Sequence, residues 1–231
     1  MIRAKSLRRG AVGLAITTVA VVGLALVSSA VASPPNNYWE VASWLHAPIN
    51  NGVEGDVSMT SNQIVSNADY NRQFVEEGTD NNLAGTYYVR VGLAHGFANQ
   101  NILTLYWADE RPGPSYNEHQ LSAGLWNTKY HLVVDWEGNN SWNIFVGNTH
   151  VGTSTSNPGP SVYMATGLDT SDPSNSGYYA VTNPMQWKNT SNVWSTSGWG
   201  AGTLYEDPSL PGGSVGWISP YISLADFLNY P

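Results

Sequence analysis

The stretch KYHLVVDWEGNNSWNIFV, residues 129–146, decides the fold, because apolar and polar residues alternate in it on both sides of a turn. Successive side chains of an extended strand point to opposite faces, so every second residue shares a face. The apolar face of the first arm carries Tyr130, Leu132, Val134 and Trp136. The opposite face carries His131, Val133, Asp135 and Glu137. Gly138-Asn139-Asn140 interrupts the alternation before it resumes in WNIFV, so the stretch predicts a β-hairpin with Trp136 and Trp142 in the core.

The same alternation recurs along the chain. In TYYVRVGL, residues 86–93, one face carries Tyr87, Val89, Val91 and Leu93, and the other carries Tyr88, Arg90 and Gly92. Further strands are predicted near residues 39–45, 53–59, 102–107, 116–121, 160–166, 177–182, 201–206 and 214–218. The only helix predicted is short, from Ser223 to Leu228. Short strands at this spacing predict an all-β fold with little helix, an antiparallel β-sandwich or jelly roll of concanavalin-like type.

Composition and charge exclude several classes of protein. The chain of 231 residues is 42% hydrophobic and 12% aromatic, too apolar for a disordered protein. Its net charge of −8 opposes binding to nucleic acid or to an anionic membrane. Because the sequence has no cysteine, it can form no disulfide, zinc-thiolate site or cysteine nucleophile.

The first 32 residues read as a secretory signal peptide. Four basic residues precede residue 10, residues 11–27 carry no charge, and small residues follow up to Ala32. We expect cleavage after Ala32, which leaves a single domain over residues 33–231; the alternative is an uncleaved membrane anchor. The mature chain would keep all 17 acidic residues but only five of the nine basic ones, a net charge of −12. The prediction is a secreted, extracellular protein that does not bind membranes after cleavage, in an oligomeric state that the sequence leaves open.

Paired carboxylates are the first candidates for chemistry. Asp135 and Glu137 lie two residues apart on one strand face, where closeness would raise one pKa and keep that acid protonated. Asp109 and Glu110 precede a loop bounded by prolines, a common place for functional groups, and Glu118 lies on the next strand. The alternative reading is a solvated strand face for the first pair and ordinary turn residues for the second.

Tryptophan is the second candidate, because the sequence has 10 of them and indole rings stack on sugar faces. Trp126, Trp187, Trp194 and Trp199 lie in polar stretches without apolar alternation, which makes them candidate exposed ligand-binding rings. The alternative is that they cover the ends of the sandwich.

No cofactor or metal is predicted, apart from a weak Ca²⁺ possibility at Asp169, Asp172 and Asn175, whose spacing also suits Asx turns. The sequence has no Gly-x-Ser-x-Gly elbow, no His-Glu-x-x-His and no phosphate-binding glycine loop.

Three segments resemble the middle of secreted glutamic peptidases, the eqolisin and neprosin-like β-sandwich families. They are residues 87–97, 103–121 and 130–153, roughly a third of the mature chain. The eqolisin pattern has Gln-x-Gly on one strand and later Tyr-Glu-Trp-Tyr-Pro, whose Glu acts with that Gln on a water and the scissile amide. Trp142-Asn143-Ile144, followed by Gly147 and Val151-Gly152, resembles the late strand of the neprosin-like pattern.

The catalytic residues of these families are not kept. Arg90-Val91-Gly92 places an arginine where the eqolisin pattern has Gln. Alignment on Pro112 places Asp109 at the position of the Glu, and His131 falls where the neprosin-like pattern has an acid. The resemblance therefore implies the fold more than the activity.

Two functions are consistent with these features. The first is a secreted module that binds polysaccharide or another polymer through surface aromatics, with Arg90 at the site. The second is an acid-acting hydrolase, a peptidase or glycosidase, that uses Asp109 or Glu110 with Asp135, Glu137 or Glu118. The partner is an extracellular polysaccharide or polypeptide in either case.

Overall fold

The architecture comes from a computed structural model, which describes residues 39–45, 49–59, 70–78, 88–96, 99–110, 116–155, 159, 161, 163–170, 179–181, 185–196, 203–206, 216–221 and 226–230. These residues form sixteen strands, numbered in chain order. They are β1 (Trp39–Leu45), β2 (Asn50–Met59), β3 (Tyr70–Gly78), β4 (Tyr88–Gly96), β5 (Asn99–Glu110), β6 (Asn117–Ala123), β7 (Tyr130–Gly138), β8 (Ser141–Val146), β9 (Thr149–Ser154), β10 (Tyr163–Thr170), β11 (Tyr179–Val181), β12 (Gln186–Asn189), β13 (Trp194–Ser195), β14 (Thr203–Glu206), β15 (Gly216–Tyr221) and β16 (Asp226–Tyr230).

The strands form two antiparallel sheets. The seven-stranded sheet has the order β14-β1-β10-β3-β4-β5-β6. The nine-stranded sheet has the order β15-β16-β11-β2-β7-β8-β9, and the β12–β13 hairpin also pairs with β2. The predicted antiparallel β-sandwich is therefore confirmed.

The core lies between the sheets. On β4, Val89, Val91 and Leu93 are buried in it, while Tyr88 and Arg90 lie on the opposite face, as the alternation predicted. Trp142 is fully buried, and Trp136 packs against the same cluster. The remaining core residues come from both sheets and include Val53, Val57, Val75, Leu105, Trp107, Leu132, Val134, Ile144, Met164 and Met185.

The hairpin between β7 and β8 turns through Asn139 and Asn140, with φ angles of 53° and 60°. Two left-handed residues in succession give a turn whose twist matches that of the flanking strands. Asparagine adopts this conformation more readily than most residues, which explains why Asn-Asn can turn the chain here.

The helix predicted from Ser223 to Leu228 is wrong for the part that the structure describes, since Asp226–Leu228 belongs to β16. Pairing of this segment with β11 and β15 overrides its local helix preference. No helix occurs among the described residues, so none of them forms a helix long and apolar enough to cross a membrane.

Candidate functional site

The outer face of the nine-stranded sheet brings together two groups that the sequence analysis treated separately. The β12–β13 hairpin carries Lys188 opposite Trp194, and Lys188 in turn lies opposite Gly52 of β2. Gly52 lies opposite Asp135 of β7. Trp194, a predicted ligand-binding ring, and Asp135, a predicted catalytic carboxylate, thus lie in one row across neighbouring strands.

Lys188 contacts both Asp135 and Trp194 across Gly52. Its Nζ lies 2.6 Å from Oδ1 of Asp135 and 5.8 Å from the ring centroid of Trp194. A methyl group on Gly52 would lie 2.8 Å from the carbonyl oxygen of Val134 and 3.2 Å from the Trp194 ring edge. The absence of a side chain on Gly52 is therefore what lets the ring and the ion pair meet over the sheet.

The hairpin that carries Trp194 is held by its own turn. The side-chain Oδ1 of Asn189 accepts hydrogen bonds from the backbone N–H groups of Ser191 and Val193, at 2.9 and 3.0 Å. Asn192 adopts a positive φ of 60°, and its Oδ1 accepts a hydrogen bond of 3.2 Å from Asn51 of β2. The turn and this contact fix the hairpin beside β2.

Acidic residues surround the ion pair. Glu54 and Asp56 lie on β2, and His131 of β7 stands against both, with Nδ1 2.9 Å from Asp56 and Nε2 3.6 Å from Glu54. His131 is 42% exposed, whereas Glu54, Asp56 and Asp135 are 14–19% exposed. The face is therefore open to solvent at His131 and half-buried at the carboxylates.

Burial raises the pKa of Asp135, and the charge of Glu137 adds to the effect, while the hydrogen bond and charge of Lys188 oppose it. Burial also raises the pKa of Glu54; Asp135 and Asp56 add to this increase and His131 opposes it. These two half-buried acids therefore hold protons more strongly than exposed carboxylates do.

A second polar cluster is buried on the outer face of the seven-stranded sheet. Arg90 Nε lies 2.6 Å from Oε2 of Glu76, and the guanidinium stands over the rings of Phe74 and Tyr88, at 4.1 and 4.3 Å from their centroids. Arg90 is 3% exposed. Each guanidinium–carboxylate contact of this kind is a charge-assisted hydrogen bond.

The same cluster contains Arg72 and Glu118, joined at 2.6 Å between Nη2 and Oε2. Tyr116 donates its hydroxyl to the same Oε2 at 2.7 Å, and burial raises the pKa of Tyr116 well above its usual range. The two carboxylates described on this face, Glu76 and Glu118, are thus both in contact with arginine.

Two further acids point between the sheets. Asp109 is 3% exposed and accepts a hydrogen bond of 2.6 Å from Ser154 of β9 through Oδ2, whereas its Oδ1 has no hydrogen-bond partner among the described residues. Glu77 is fully buried. With its amide nitrogen turned toward Glu77, Asn50 places Nδ2 2.7 and 3.1 Å from the two carboxyl oxygens.

Burial raises the pKa of Glu77 well above its usual range. A hydrogen bond with Ser161 opposes the increase, and the charges of Glu76 and Asp135 add to it. Glu77 therefore holds its proton more strongly than an exposed carboxylate does.

The predicted acids whose side chains the structure describes do not converge. Glu118 lies on the outer face of the seven-stranded sheet, Asp109 lies between the sheets, and Asp135 and exposed Glu137 lie on the outer face of the nine-stranded sheet. The side chain of Glu110 lies outside the described residues. Arg90 shares a face with Glu118 but contacts Glu76.

The predicted ligand-binding tryptophans that the structure describes also lie in different places. Trp126 is half-buried against the core and lies edge-on to His95 at 4.8 Å, and Trp187 packs against the core as well. Trp194 is half-buried on the outer face, and Trp199 lies outside the described residues. Among the described residues, Trp194 is the predicted ring that lies beside a predicted acid.

The possible calcium residues lie largely outside the described residues. Asp169 belongs to β10, while Asp172 and Asn175 are not described. Among the residues that are described, no three acidic or histidine side chains are grouped as metal ligands.

Several site residues were not identified from the sequence. They are Gly52, Glu54, Asp56, Lys188, Arg72, Glu76 and Glu77. The alternation VEGDV in residues 53–57 could have indicated Glu54 and Asp56 as a polar face. Lys188 and Gly52 carry no such local signal, because their role depends on the pairing of β12, β2 and β7.

No family model and no curated protein matches this sequence. Solved structures of similar fold include scytalido-glutamic peptidase in complex with transition-state analogues, at TM-scores of 0.59 and 0.60 and 8% identity. The match covers 84% and 85% of this chain and 98% and 99% of those chains. SCP-B, a member of the eqolisin family bound to a tripeptide, matches at a TM-score of 0.54 and 8% identity, over 84% of this chain and 96% of that one. The predicted resemblance to eqolisins is confirmed, and at this identity it concerns the fold alone.

Proposed function

We propose that this chain is an extracellular polymer-binding protein that binds polysaccharide on the outer face of its nine-stranded sheet. The observation that carries the proposal is the contact of Lys188 with both Asp135 and Trp194 across Gly52. An aromatic ring beside polar and charged hydrogen-bonding groups is the combination that binds sugars, with the ring against C–H faces and the polar groups against hydroxyls.

Binding is favoured over catalysis because the carboxylates are in contact with cations. Glu76 and Glu118 are held in buried contacts with arginine, and Asp135 is held by Lys188. Each of these carboxyl groups is occupied by a cation, whereas a general acid or base needs hydrogen-bond reach to the substrate. Side chains held in this way act as fixed hydrogen-bonding groups.

The test is truncation of the ring. Trp194→Ala should lower the affinity for soluble xylan or mixed-linkage β-glucan by roughly tenfold or more, since 1.4 kcal/mol corresponds to a factor of ten. Trp126→Ala removes an equally large half-buried indole elsewhere and should leave affinity unchanged. Affinity gels and tryptophan fluorescence titrations measure both. Equal affinity of wild type and Trp194→Ala for every polysaccharide bound would reject this site.

An acid-acting hydrolase is the second candidate, favoured by the raised pKa values of Glu54 and Asp135. These residues are diagonal neighbours on adjacent strands, since Glu54 pairs with Val133 and Gly52 with Asp135. Such neighbours lie about 7–8 Å apart, within reach of a bound substrate. Turnover of denatured protein or of glycans below neutral pH, lost in Glu54→Gln and Asp135→Asn, would support it. No turnover of either substrate would reject it.

We also propose that the chain is exported, with cleavage of the signal peptide after Ala32. The charge pattern of residues 1–32 supports this. N-terminal sequencing of protein collected from the medium should begin at Ser33. A sequence that begins at Met1 would contradict the proposal.

A further inference from the structure

The ion pair of Lys188 and Asp135 is part of a longer row on the same sheet face. The paired positions continue from Asp135 to Asn143 of β8, and from Asn143 to Thr153 of β9. The complete row runs across six strands through Trp194, Lys188, Gly52, Asp135, Asn143 and Thr153. Neighbouring strands are about 4.8 Å apart, so the row is about 24 Å long.

The far end of the row carries hydrogen-bonding groups in mutual contact. Thr153 donates its hydroxyl to Oδ1 of Asn143 at 2.8 Å, and Nε2 of His150 lies 2.9 Å from the same hydroxyl oxygen. Because Thr153 has only one proton to donate, Nε2 of His150 is the donor in the second contact. Thr153 and His150 are exposed and Asn143 is half-buried, so solvent reaches this end.

Charge along the row favours an uncharged ligand. Lys188 is already neutralised by Asp135, and the far end has amide and hydroxyl groups. Acidic residues stand on both sides of Asp135, with Glu54 toward one end of the strands and Glu137 toward the other. A polyanion placed along the row would be repelled from both sides.

We infer that a linear, neutral polysaccharide lies along this row, perpendicular to the strands, with one end against Trp194 and the other against Asn143 and Thr153. This inference rests on the proposed function and adds the ligand's charge, direction and length. Each strand contributes one position, so the affinity should increase with chain length until the row is filled.

The experiment is calorimetric titration with two series of oligosaccharides, from disaccharide to hexasaccharide, cut from xylan and from mixed-linkage β-glucan. For wild type, the Kd should fall along the series and then level off. For Asn143→Ala/Thr153→Ala, the short members should bind as to wild type, and the long members should bind roughly 2- to 10-fold more weakly for each contact removed. Thr153→Val, which keeps the shape of the side chain, removes one contact and should weaken binding of the long members by one such factor. It replaces the double variant if that variant folds poorly.

The control is Ser122→Ala, which removes an exposed hydroxyl from β6 of the other sheet and should follow wild type throughout. Polygalacturonate, a polyanion, should bind far more weakly than the neutral chain at low salt. The inference is overturned if the Kd of Asn143→Ala/Thr153→Ala and of Thr153→Val depends on oligosaccharide length as it does for wild type. Tight binding of polygalacturonate would also overturn it. If Trp194→Ala still lowers the affinity roughly tenfold or more in that case, the proposed function stands; if it does not, both fail.

Discussion

Arg72 and Glu118 form a buried ion pair, 2.6 Å between Nη2 and Oε2, although β4 and β5 lie between their strands. Ala94 on β4 and Ala108 on β5 are both buried on this face, and their small side chains leave room for the arginine to lie across the sheet. The pair therefore connects β3 to the edge strand β6 without any backbone contact between them.

Removal of one partner of this pair should destabilise the fold strongly. Glu118→Ala leaves the Arg72 charge buried and should lower the free energy of unfolding by about 3–5 kcal/mol. The double variant Arg72→Met/Glu118→Leu should recover much of that loss, because no buried charge remains. Guanidinium denaturation measures both, with exposed Glu137→Ala as the control. A loss in Glu118→Ala no larger than in Glu137→Ala would contradict the prediction.

Glu77 should make the fold less stable as the pH rises. Its pKa is raised by burial, so the folded chain keeps a proton that the unfolded chain releases above pH about 4.3. The stabilisation is complete below that pH and is lost as the pH rises toward the folded pKa.

Glu77→Gln should therefore flatten the pH dependence of unfolding by up to about 1.4 kcal/mol per pH unit in that range. Denaturation at a series of pH values from 4 to 7 tests this. Glu54 and Asp135 act in the same direction, so some slope should remain. Exposed Glu137→Gln is the matched control, and identical slopes in wild type and Glu77→Gln would show that Glu77 ionises normally.

Ser154 should stabilise the contact between the two sheets. Its hydroxyl, on β9, donates a hydrogen bond to the buried carboxylate of Asp109 on β5, and this bond joins the two strands. Ser154→Ala should lower the free energy of unfolding by about 1.5–3 kcal/mol, the range for hydrogen bonds to charged groups. Affinity for polysaccharide should not change, because Asp109 points between the sheets. Ser122→Ala, at an exposed position, should leave stability unchanged; a similar small effect in both variants would count against the role of Ser154.

Gly52 should be intolerant of any side chain. A methyl group there would lie 2.8 Å from the backbone oxygen of Val134, which cannot move away as a flexible side chain could. We expect Gly52→Ala to separate Lys188 from Asp135 and to weaken polysaccharide binding roughly tenfold. Lys188→Met removes the ammonium without a clash and should weaken binding to a similar degree. Wild-type affinity in Gly52→Ala would mean that the ring and the ion pair do not act together.

Local alternation predicts those strands whose two faces differ in polarity. It identified β7, β8 and β4 and the residues on each of their faces. It missed β3, because Arg72, Glu76 and Glu77 are buried there and break the apolar pattern. Charges in such positions are stabilised by partners on other strands, which a single segment does not reveal.

The candidate site was only partly predictable for the same reason. The period of two placed Asp135 and Glu137 on one face, and Trp194 was identified from its polar surroundings. Lys188 lies 53 residues from Asp135 in sequence, and their contact depends on the register of β12 against β2 and of β2 against β7. Register between distant strands is set by the packing of the whole sandwich.

Each of the six positions in the row on the nine-stranded sheet lies on a different strand, so the backbone fixes the distance between neighbouring positions. Spacing between positions is set by hydrogen bonds of the sheet, whereas the chemistry at each position is set by one side chain. If the row binds the proposed polysaccharide, replacement of Asn143 or Thr153 would change which sugar is preferred at one position without shifting the others. Under that proposal, substitutions during evolution would alter specificity one sugar unit at a time, while the repeat length of the bound polymer would stay the same.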